Sequence, residues 1–282
     1  MTKKTQCYIL LPVHNRREIT QKFIECLNSQ TYHNYKLILI DDGSTDGTAQ
    51  MVQNQISNQM SNLEIITGKG NWWWAGGLQQ GINWLKANSL DPDDVILMIN
   101  DDVFLKPDFI AIAIKLLQKM PNTLLQAQGY SLQTDDCLDI GLNVDFNAFT
   151  FNKAKLSSEI NCLSTRGLFM RWQDLQKTGG FHPKLLPHYL SDYEFTMRSH
   201  RKGLTLTTHP ELKLWLNEET TGFHPNGKFH FTSILKRYFS RRSSSNKIDW
   251  TMFVLLTCPK DKILINLGRV WINGLVKLLI RS

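Results

Sequence analysis

Five short runs rich in Ile, Leu and Val alternate with four helix-length amphipathic segments through the first half of the chain. The runs cover residues 8–13, 37–40, 63–67, 95–99 and 124–127, and the segments between them roughly 18–29, 48–60, 77–88 and 108–119. Strand and helix alternating at this spacing predict an α/β fold, a mostly parallel sheet covered by helices on both faces. In such sheets ligands bind outside the carboxyl ends of the strands, so chemistry is expected in the residues just after each run.

Four successive runs end in polar clusters. The first leads into Pro12, Val13, His14, Asn15 and Arg16. The second ends in Asp41, Asp42, Gly43, Ser44, Thr45, Asp46 and Gly47. After the third come Gly68, Lys69, Gly70, Asn71, three consecutive tryptophans (Trp72, Trp73, Trp74), Ala75, Gly76 and Gly77, and the fourth delivers Asn100, Asp101 and Asp102. Four clusters on one edge predict a constructed site.

Paired carboxylates at a strand end suit a hard cation such as Mg²⁺ or Mn²⁺ that bridges a diphosphate and helps it depart. Asp101 and Asp102 taken alone fit a cap on the next turn equally well, and the other three clusters tilt the balance toward the cation. Asp42 offers the same choice between a turn-forming Asp and a carboxylate that accepts from a pyrimidine imide; by itself the turn reading wins. Asp192 lies just before the helical run 194–201. A carboxylate raised by partial burial can take a proton from an attacking hydroxyl, whereas a lone Asp there is more often a first-turn acid.

Glycines near residue 70 allow backbone to approach a ligand, and a helix beginning near Gly76 would aim N–H groups at an anion. Three adjacent Trp cannot share one core, so two are expected under the sheet and one along the cleft. Neither a dinucleotide GxGxxG nor a P-loop is present. Residues 131–164 read as an irregular or hairpin insertion without assignable chemistry.

With these motifs in place, the chain resembles the family-2 glycosyltransferases, inverting enzymes of the GT-A fold, and among them rhamnosyltransferase-like bacterial members that build polysaccharides. The resemblance runs from about Tyr8 to Gly222. It rests on the Pro-Val-His-Asn-Arg opening, Asp-Asp-Gly-Ser-Thr-Asp-Gly, Asn-Asp-Asp, Gly179-Gly180-Phe181 and Ser-Asp-Tyr-Glu-Phe. It implies transfer of a sugar from a UDP- or dTDP-linked donor, dTDP-rhamnose or a UDP-hexose, to a glycan or lipid-linked oligosaccharide at the cell envelope. Pro12, His14, Asn15 and Asp42 would surround the nucleotide, with Gly70, Asn71 and Trp74 along the nucleotide or donor sugar and Asp101 near the ribose. Asp102 would bind Mg²⁺ or Mn²⁺, Asp192 would be the base, and Arg166, Gly167, His188 and Tyr189 would lie near the acceptor.

Two departures from the family pattern bear on the metal. Asn100 replaces the first Asp of Asp-x-Asp and is a weaker ligand. The His that many relatives carry after the last core strand is missing from Leu214-Trp215-Leu216-Asn217. Either His224 or Glu218 substitutes, or diphosphate and water complete the shell. These departures keep a second reading open, a catalytically silent glycan-binding or scaffold subunit. A sugar-nucleotide pyrophosphorylase is disfavoured because no Gly-rich basic loop follows the first run.

Charge divides the chain unevenly. Residues 228–282 hold 11 Lys/Arg against 2 Asp/Glu, out of totals of 32 and 25. A GT-A domain over 1–227 and a basic, helical extension over 228–282 are therefore expected. In the extension Ile263, Leu264, Leu267, Val270, Trp271, Leu275, Leu278 and Leu279 recur at helical spacing among Lys262, Arg269, Lys277 and Arg281. Such a tail suits docking on an anionic membrane face, or packing on the catalytic body or on a second copy in a homodimer. No nucleic-acid motif accompanies the charge. Five scattered cysteines without CxxC fit a reducing cytosol, and the polar start 1–6 lacks signal-peptide features. A cytoplasmic protein, at most peripheral on the inner face of the membrane, is the expectation.

Overall fold

The computed structural model describes residues 4–56, 62–217 and 238–279. β1 (Cys7–Val13), β2 (Tyr35–Asp41), β3 (Leu63–Thr67) and β4 (Val95–Met98) are parallel neighbours in the order β3-β2-β1-β4. Helices α1 (Arg17–Asn28), α2 (Thr48–Gln55) and α3 (Trp73–Ala87) make the crossovers that parallel strands require. Their apolar stripes, with that of α4 (Phe109–Lys119), cover the sheet. One core gathers Phe23, Ile24, Val52 and Phe109 against one face of β1 and β2; a second gathers Leu78, Ile82 and Leu85 of α3 against the other. Burial on both faces is why these strands read as unbroken apolar runs.

Past β4 the sheet becomes mixed while remaining mostly parallel. β10 (Leu168–Arg171) inserts antiparallel between β4 and β6 (Thr123–Ser131). β11 (Thr205–Leu216) then runs parallel to β6, and the short β5 (Val103–Leu105) closes that edge antiparallel to β11. Within the 131–164 insertion, β7 (Cys137–Asp139) pairs with β6, and β8 (Leu142–Asp145) and β9 (Thr150–Lys153) form a separate hairpin. Two more helices, α5 (Trp172–Thr178) and α6 (Ser191–Arg201), pack beside the inserted strand.

The extension forms α7 (Lys247–Thr257) and α8 (Ile263–Leu279). Asn246 caps α7, its side chain accepting from the N–H of Ile248 and Asp249, as N-cap residues do. Phe253 of α7 is buried with Leu190 and Met197 of the body, and Val270 of α8 with Val254 of α7 and Cys258 just after it. Asn266 and Arg269 donate to the carbonyls of Phe146 and Asn147 at the hairpin turn. The described part of the extension thus packs on the body; the expected boundary between 227 and 228 lies outside the described residues.

Two helices begin earlier than their periodicity predicts. α3 starts at Trp73 rather than Gly77, and α6 at Ser191, which places Asp192 inside its first turn. The reason for the first shift lies in Asp42.

Candidate active site

The carboxylate of Asp42, at the end of β2, is buried and accepts from four successive backbone N–H groups. Gly70 (2.8 Å) and Asn71 (3.1 Å) donate to Oδ1, and Trp72 (2.7 Å) and Trp73 (3.3 Å) to Oδ2. The Trp72 and Trp73 N–H groups are among those a helix start leaves unpaired, Gly70 and Asn71 belong to the turn just before it, and a negative charge there also meets the positive end of the helix dipole. Gly68 is required by the closeness of this contact, since a Cβ on it would stand 2.5 Å from Asp42 Oδ1.

The rest of this rim is as tightly bonded. Asn15 Oδ1 accepts from Thr45 N–H at 2.8 Å, and Asn15 N–H donates to Ser44 Oγ at 2.9 Å. His14 Nδ1 lies 2.7 Å from the Asp42 carbonyl oxygen, and Asp41 Oδ1 accepts from Ser44 N–H. His14, Asn15, Gly70 and Asn71 are exposed and Pro12 is half-buried, so these expected nucleotide residues form an open ledge after β1–β3, whereas Asp42, Asp101 and Trp74 are turned into the fold.

The three tryptophans divide two and one. Trp72 and Trp74 pack against the α3 core, and Trp74 Nε1–H donates to Thr165 Oγ1 at 2.9 Å. Trp73 adopts a left-handed φ of 57° and meets the His188 ring, centroids 5.7 Å apart. Trp73, not Trp74, is therefore the Trp turned toward the opposite rim. Ala75 N–H donates to the Pro187 carbonyl, tying the start of α3 to that rim.

At the end of β4, Asp101 and Asp102 are both buried. Arg16 bridges them, with Nε 3.0 Å from Asp101 Oδ1 and Nη2 3.3 Å from Asp102 Oδ2. Thr20 Oγ1 donates to the other Asp101 oxygen at 2.7 Å. Burial pushes the Asp101 carboxyl up from its ordinary value, and Arg16 and Thr20 oppose the shift. Asp102 Oδ1 is buried and has no hydrogen-bond partner. A buried carboxylate oxygen without a partner is costly unless a cation or donor completes it. With the half-buried Asn100 beside it, the site fits a hard oxygen-seeking cation. Among the described residues no group of three His, Cys, Asp or Glu could hold a metal alone. His224 and Glu218, the substitutes considered for the third ligand, lie outside the described residues.

The opposite rim arrives through the antiparallel strand. Leu168 of β10 pairs with Met98 of β4, so Arg166 and Gly167, just before β10, stand beside the strand end that carries Asn100–Asp102. Gly167 has φ +71°, and a Cβ there would come 2.6 Å from Leu214 Cδ2. α6 is fastened to the segment before Arg166, where Leu163 N–H donates to Thr196 Oγ1 and that hydroxyl donates to the Leu163 carbonyl. Asp192, in the first turn of α6, is half-buried and accepts from Tyr193 N–H at 2.9 Å. Burial pushes its carboxyl up to about 6, with Asp139 adding to the rise and Arg166 opposing it.

Polar atoms on this rim are left short of partners. Arg166 Nε and His188 Nδ1 are buried without one, and burial lowers His188, which favours a neutral imidazole. Leu190 precedes α6 in a left-handed φ of 65°, a strain of about 1–3 kcal/mol for a branched side chain. Tyr189 stands against His188, ring centroids 4.4 Å apart.

Sequence reasoning brought Asp42, Asp102 and Asp192 forward but passed over Arg16, Thr20, Thr165 and Asp139. Arg16 carried a signal, a cation directly after the first strand and one turn from Thr20, both on the side of α1 that faces the β4 end.

Comparison with known proteins is consistent across sequence and fold. Residues 8–170, more than half of the chain, match the family described as glycosyl transferase family 2. The glycosyltransferase AglE of Haloferax volcanii is 26% identical over 247 residues, covering 82% of this chain and 70% of its own. A glycosyltransferase of Haemophilus influenzae is 47% identical over 119 residues, 42% of each chain. Among solved structures, the mannosyltransferase PcManGT of Pyrobaculum calidifontis, in complex with GDP-Man and Mn²⁺, has a TM-score of 0.59 at 13% identity, covering 97% of this chain and 72% of that one. TarS 1–349 of S. aureus, in complex with UDP-GlcNAc, reaches 0.62 at 14% identity, covering 95% of this chain and 90% of that one.

Proposed function

For a chain that belongs to glycosyl transferase family 2, and is therefore a glycosyltransferase, we propose inverting, metal-dependent transfer of a sugar from a UDP- or dTDP-linked donor to a hydroxyl of a growing cell-surface glycan. The acceptor is that glycan or a lipid-linked oligosaccharide, reached from the cytoplasmic side. The observation that carries the reading is the buried, unpartnered Oδ1 of Asp102 at the end of β4, beside which the antiparallel β10 brings Arg166 and Gly167.

Asp192 takes the proton from the acceptor hydroxyl as that oxygen attacks the anomeric carbon. The bond from the anomeric carbon to the diphosphate breaks on the opposite face, so configuration inverts. A carboxyl at about 6 is ionised at neutral pH yet basic enough to accept a proton in the transition state. Arg166, one of the charges acting on Asp192, favours the ionised form, and His188 and Tyr189 flank the acceptor. Pro12, His14, Asn15, Gly70 and Asn71 receive the nucleotide on the ledge that Asp42 holds in place.

Asp102 and Asn100 would hold Mg²⁺ or Mn²⁺, which when bound neutralises charge gathering on the leaving diphosphate. Asp101 keeps Arg16 in place and so positions the strand end near the ribose. With so few protein ligands, cation and nucleotide are expected to bind together.

Calorimetric titration of UDP, dTDP and GDP, each with and without Mn²⁺, tests the reading on wild type and Asp102→Ala. GDP is included because one structural neighbour carries GDP-Man. Binding of UDP or dTDP that needs Mn²⁺ and weakens at least tenfold in the variant is the expected result. No binding of any of the three would overturn the reading.

A further inference from the structure

Large exposed apolar side chains are concentrated in one part of the molecule. Phe239, Ile248, Leu255, Leu264, Ile265, Trp271 and Ile272 all lie between residues 239 and 272, whereas Leu132, Leu138, Leu156 and Leu185 are spread over the body. Scattered single apolar residues are ordinary on a surface; a concentration of this kind marks an interaction face.

Helical geometry sharpens the pattern. At about 100° per residue, Leu264, Ile265, Gly268, Trp271 and Ile272 fall within about 120° of one another on α8. The opposite side carries Ile263, Asn266, Leu267 and Val270, which meet α7 and the hairpin turn. The outward side chains are 84%, 53%, 43% and 58% exposed for Leu264, Ile265, Trp271 and Ile272. α8 therefore has two apolar faces, one used within the fold and one unpartnered among the described residues.

Charge selects the occupant. Arg241, Arg242 and Lys260 are exposed on the same extension, and residues 228–282 carry 11 Lys/Arg against 2 Asp/Glu. A second copy docked through this face would bring two strongly basic segments together, whereas an anionic lipid surface would gain from both the charge and the apolar side chains. No described helix is long and apolar enough to cross a membrane, and seventeen residues of α8 span about 25 Å. A helix of that kind lies along the interface, and Trp271 is the aromatic type favoured at that depth.

We propose that the α7–α8 extension docks the enzyme on an anionic lipid bilayer through Leu264, Ile265, Trp271 and Ile272, with Arg241, Arg242 and Lys260 drawing it to the lipid headgroups. On that surface a lipid-linked acceptor is met, so the proposal rests on the functional reading for its purpose, while its apolar residues lie outside the transfer site and Arg242 meets Tyr189 through its backbone carbonyl, which substitution leaves in place.

Co-sedimentation with phosphatidylcholine vesicles, with and without phosphatidylglycerol, tests it on the full chain. Wild type is expected to partition onto the anionic vesicles, less so at high salt, and not onto the neutral ones. The double variant Leu264→Glu/Ile272→Glu, whose positions face solvent, should lose partitioning at least tenfold while its circular dichroism and Mn²⁺-dependent nucleotide binding stay unchanged. Arg241→Gln/Arg242→Gln is the second probe and should weaken binding several-fold without touching the apolar face. No partitioning of wild type onto either vesicle overturns the proposal. So does a wild-type dimer in sedimentation velocity that the Glu variant breaks, which would assign the face to a second copy. Vesicle binding without any nucleotide binding would leave this proposal standing and remove the transfer reaction instead.

Discussion

The two rims of the cleft satisfy their polar atoms in opposite ways. On the β1–β3 rim nearly every side chain has a fixed partner, with Asp42 receiving four backbone N–H groups and Asn15 and Asp41 bonded to the Ser44–Thr45 turn. On the β10–α6 rim, Arg166 Nε and His188 Nδ1 are buried without partners, Asp192 is held well above its ordinary value, and Leu190 is strained. The first rim is pre-organised and keeps its shape with or without a ligand. The second stores unfavourable energy that a ligand or a proton can release, as expected where chemistry occurs.

Asp192→Asn tests the contrast with the largest expected effect. Transfer should fall about 10³-fold, while Mn²⁺-dependent nucleotide binding by calorimetry stays at the wild-type value. Stability should move the other way. Between the ordinary carboxyl value of 3.8 and about 6, the folded chain keeps a proton that the unfolded chain has lost. Stability contributed by this group therefore falls as pH rises through that window, and at pH 7 the amide should be more stable by about 2 kcal/mol in urea unfolding. The wild-type rate should rise with pH through about 6 and then level. A variant as inactive but less stable than wild type would place Asp192 among structural acids.

The matching change on the other rim is Asp42→Asn. An amide offers one acceptor oxygen where two faced N–H groups, and its NH₂ opposes donors. A loss of about 3 kcal/mol in urea unfolding is expected, with weaker nucleotide binding and no change in the pH midpoint of activity. Unchanged stability would mean that the first rim is less rigidly built than its bonds imply.

Arg16→Met, between the rims, should have the smallest effect. It removes the guanidinium whose buried Nε and Nη2 meet the buried Asp101–Asp102 pair, leaving those carboxylates to a bound cation. Mn²⁺ binding without nucleotide should tighten about three- to tenfold, read by electron paramagnetic resonance titration. Weaker Mn²⁺ binding would mean that Arg16 shapes the cation site rather than competing for it.

The first rim was legible because its information is local: apolar runs, turn residues and carboxylates come one after another in order, and β1 to β4 appear within a few residues of where periodicity puts them. α3 was misplaced because glycines read as the natural start, whereas Asp42, thirty residues earlier in the chain, sets the start at Trp73. The second rim was less legible for a related reason. β10 has four residues and β5 three, too short for a periodic signal, and each exists only through pairing with distant strands. Asp192 could be picked out by motif, but its proximity to Arg166 and Asp139 could not, because that depends on the antiparallel insertion.

The pairing of β5 has a consequence for the order in which the protein becomes competent. Asp102 stands directly before β5, and in the sheet β5 hydrogen-bonds to the last three residues of β11, Leu214–Leu216. During synthesis, the carboxylate that would hold the cation emerges more than a hundred residues before the strand that steadies it. Nucleotide binding should therefore appear late, once β11 has left the ribosome and closed the sheet, and a nascent chain halted before it would have the nucleotide ledge without a finished cation site.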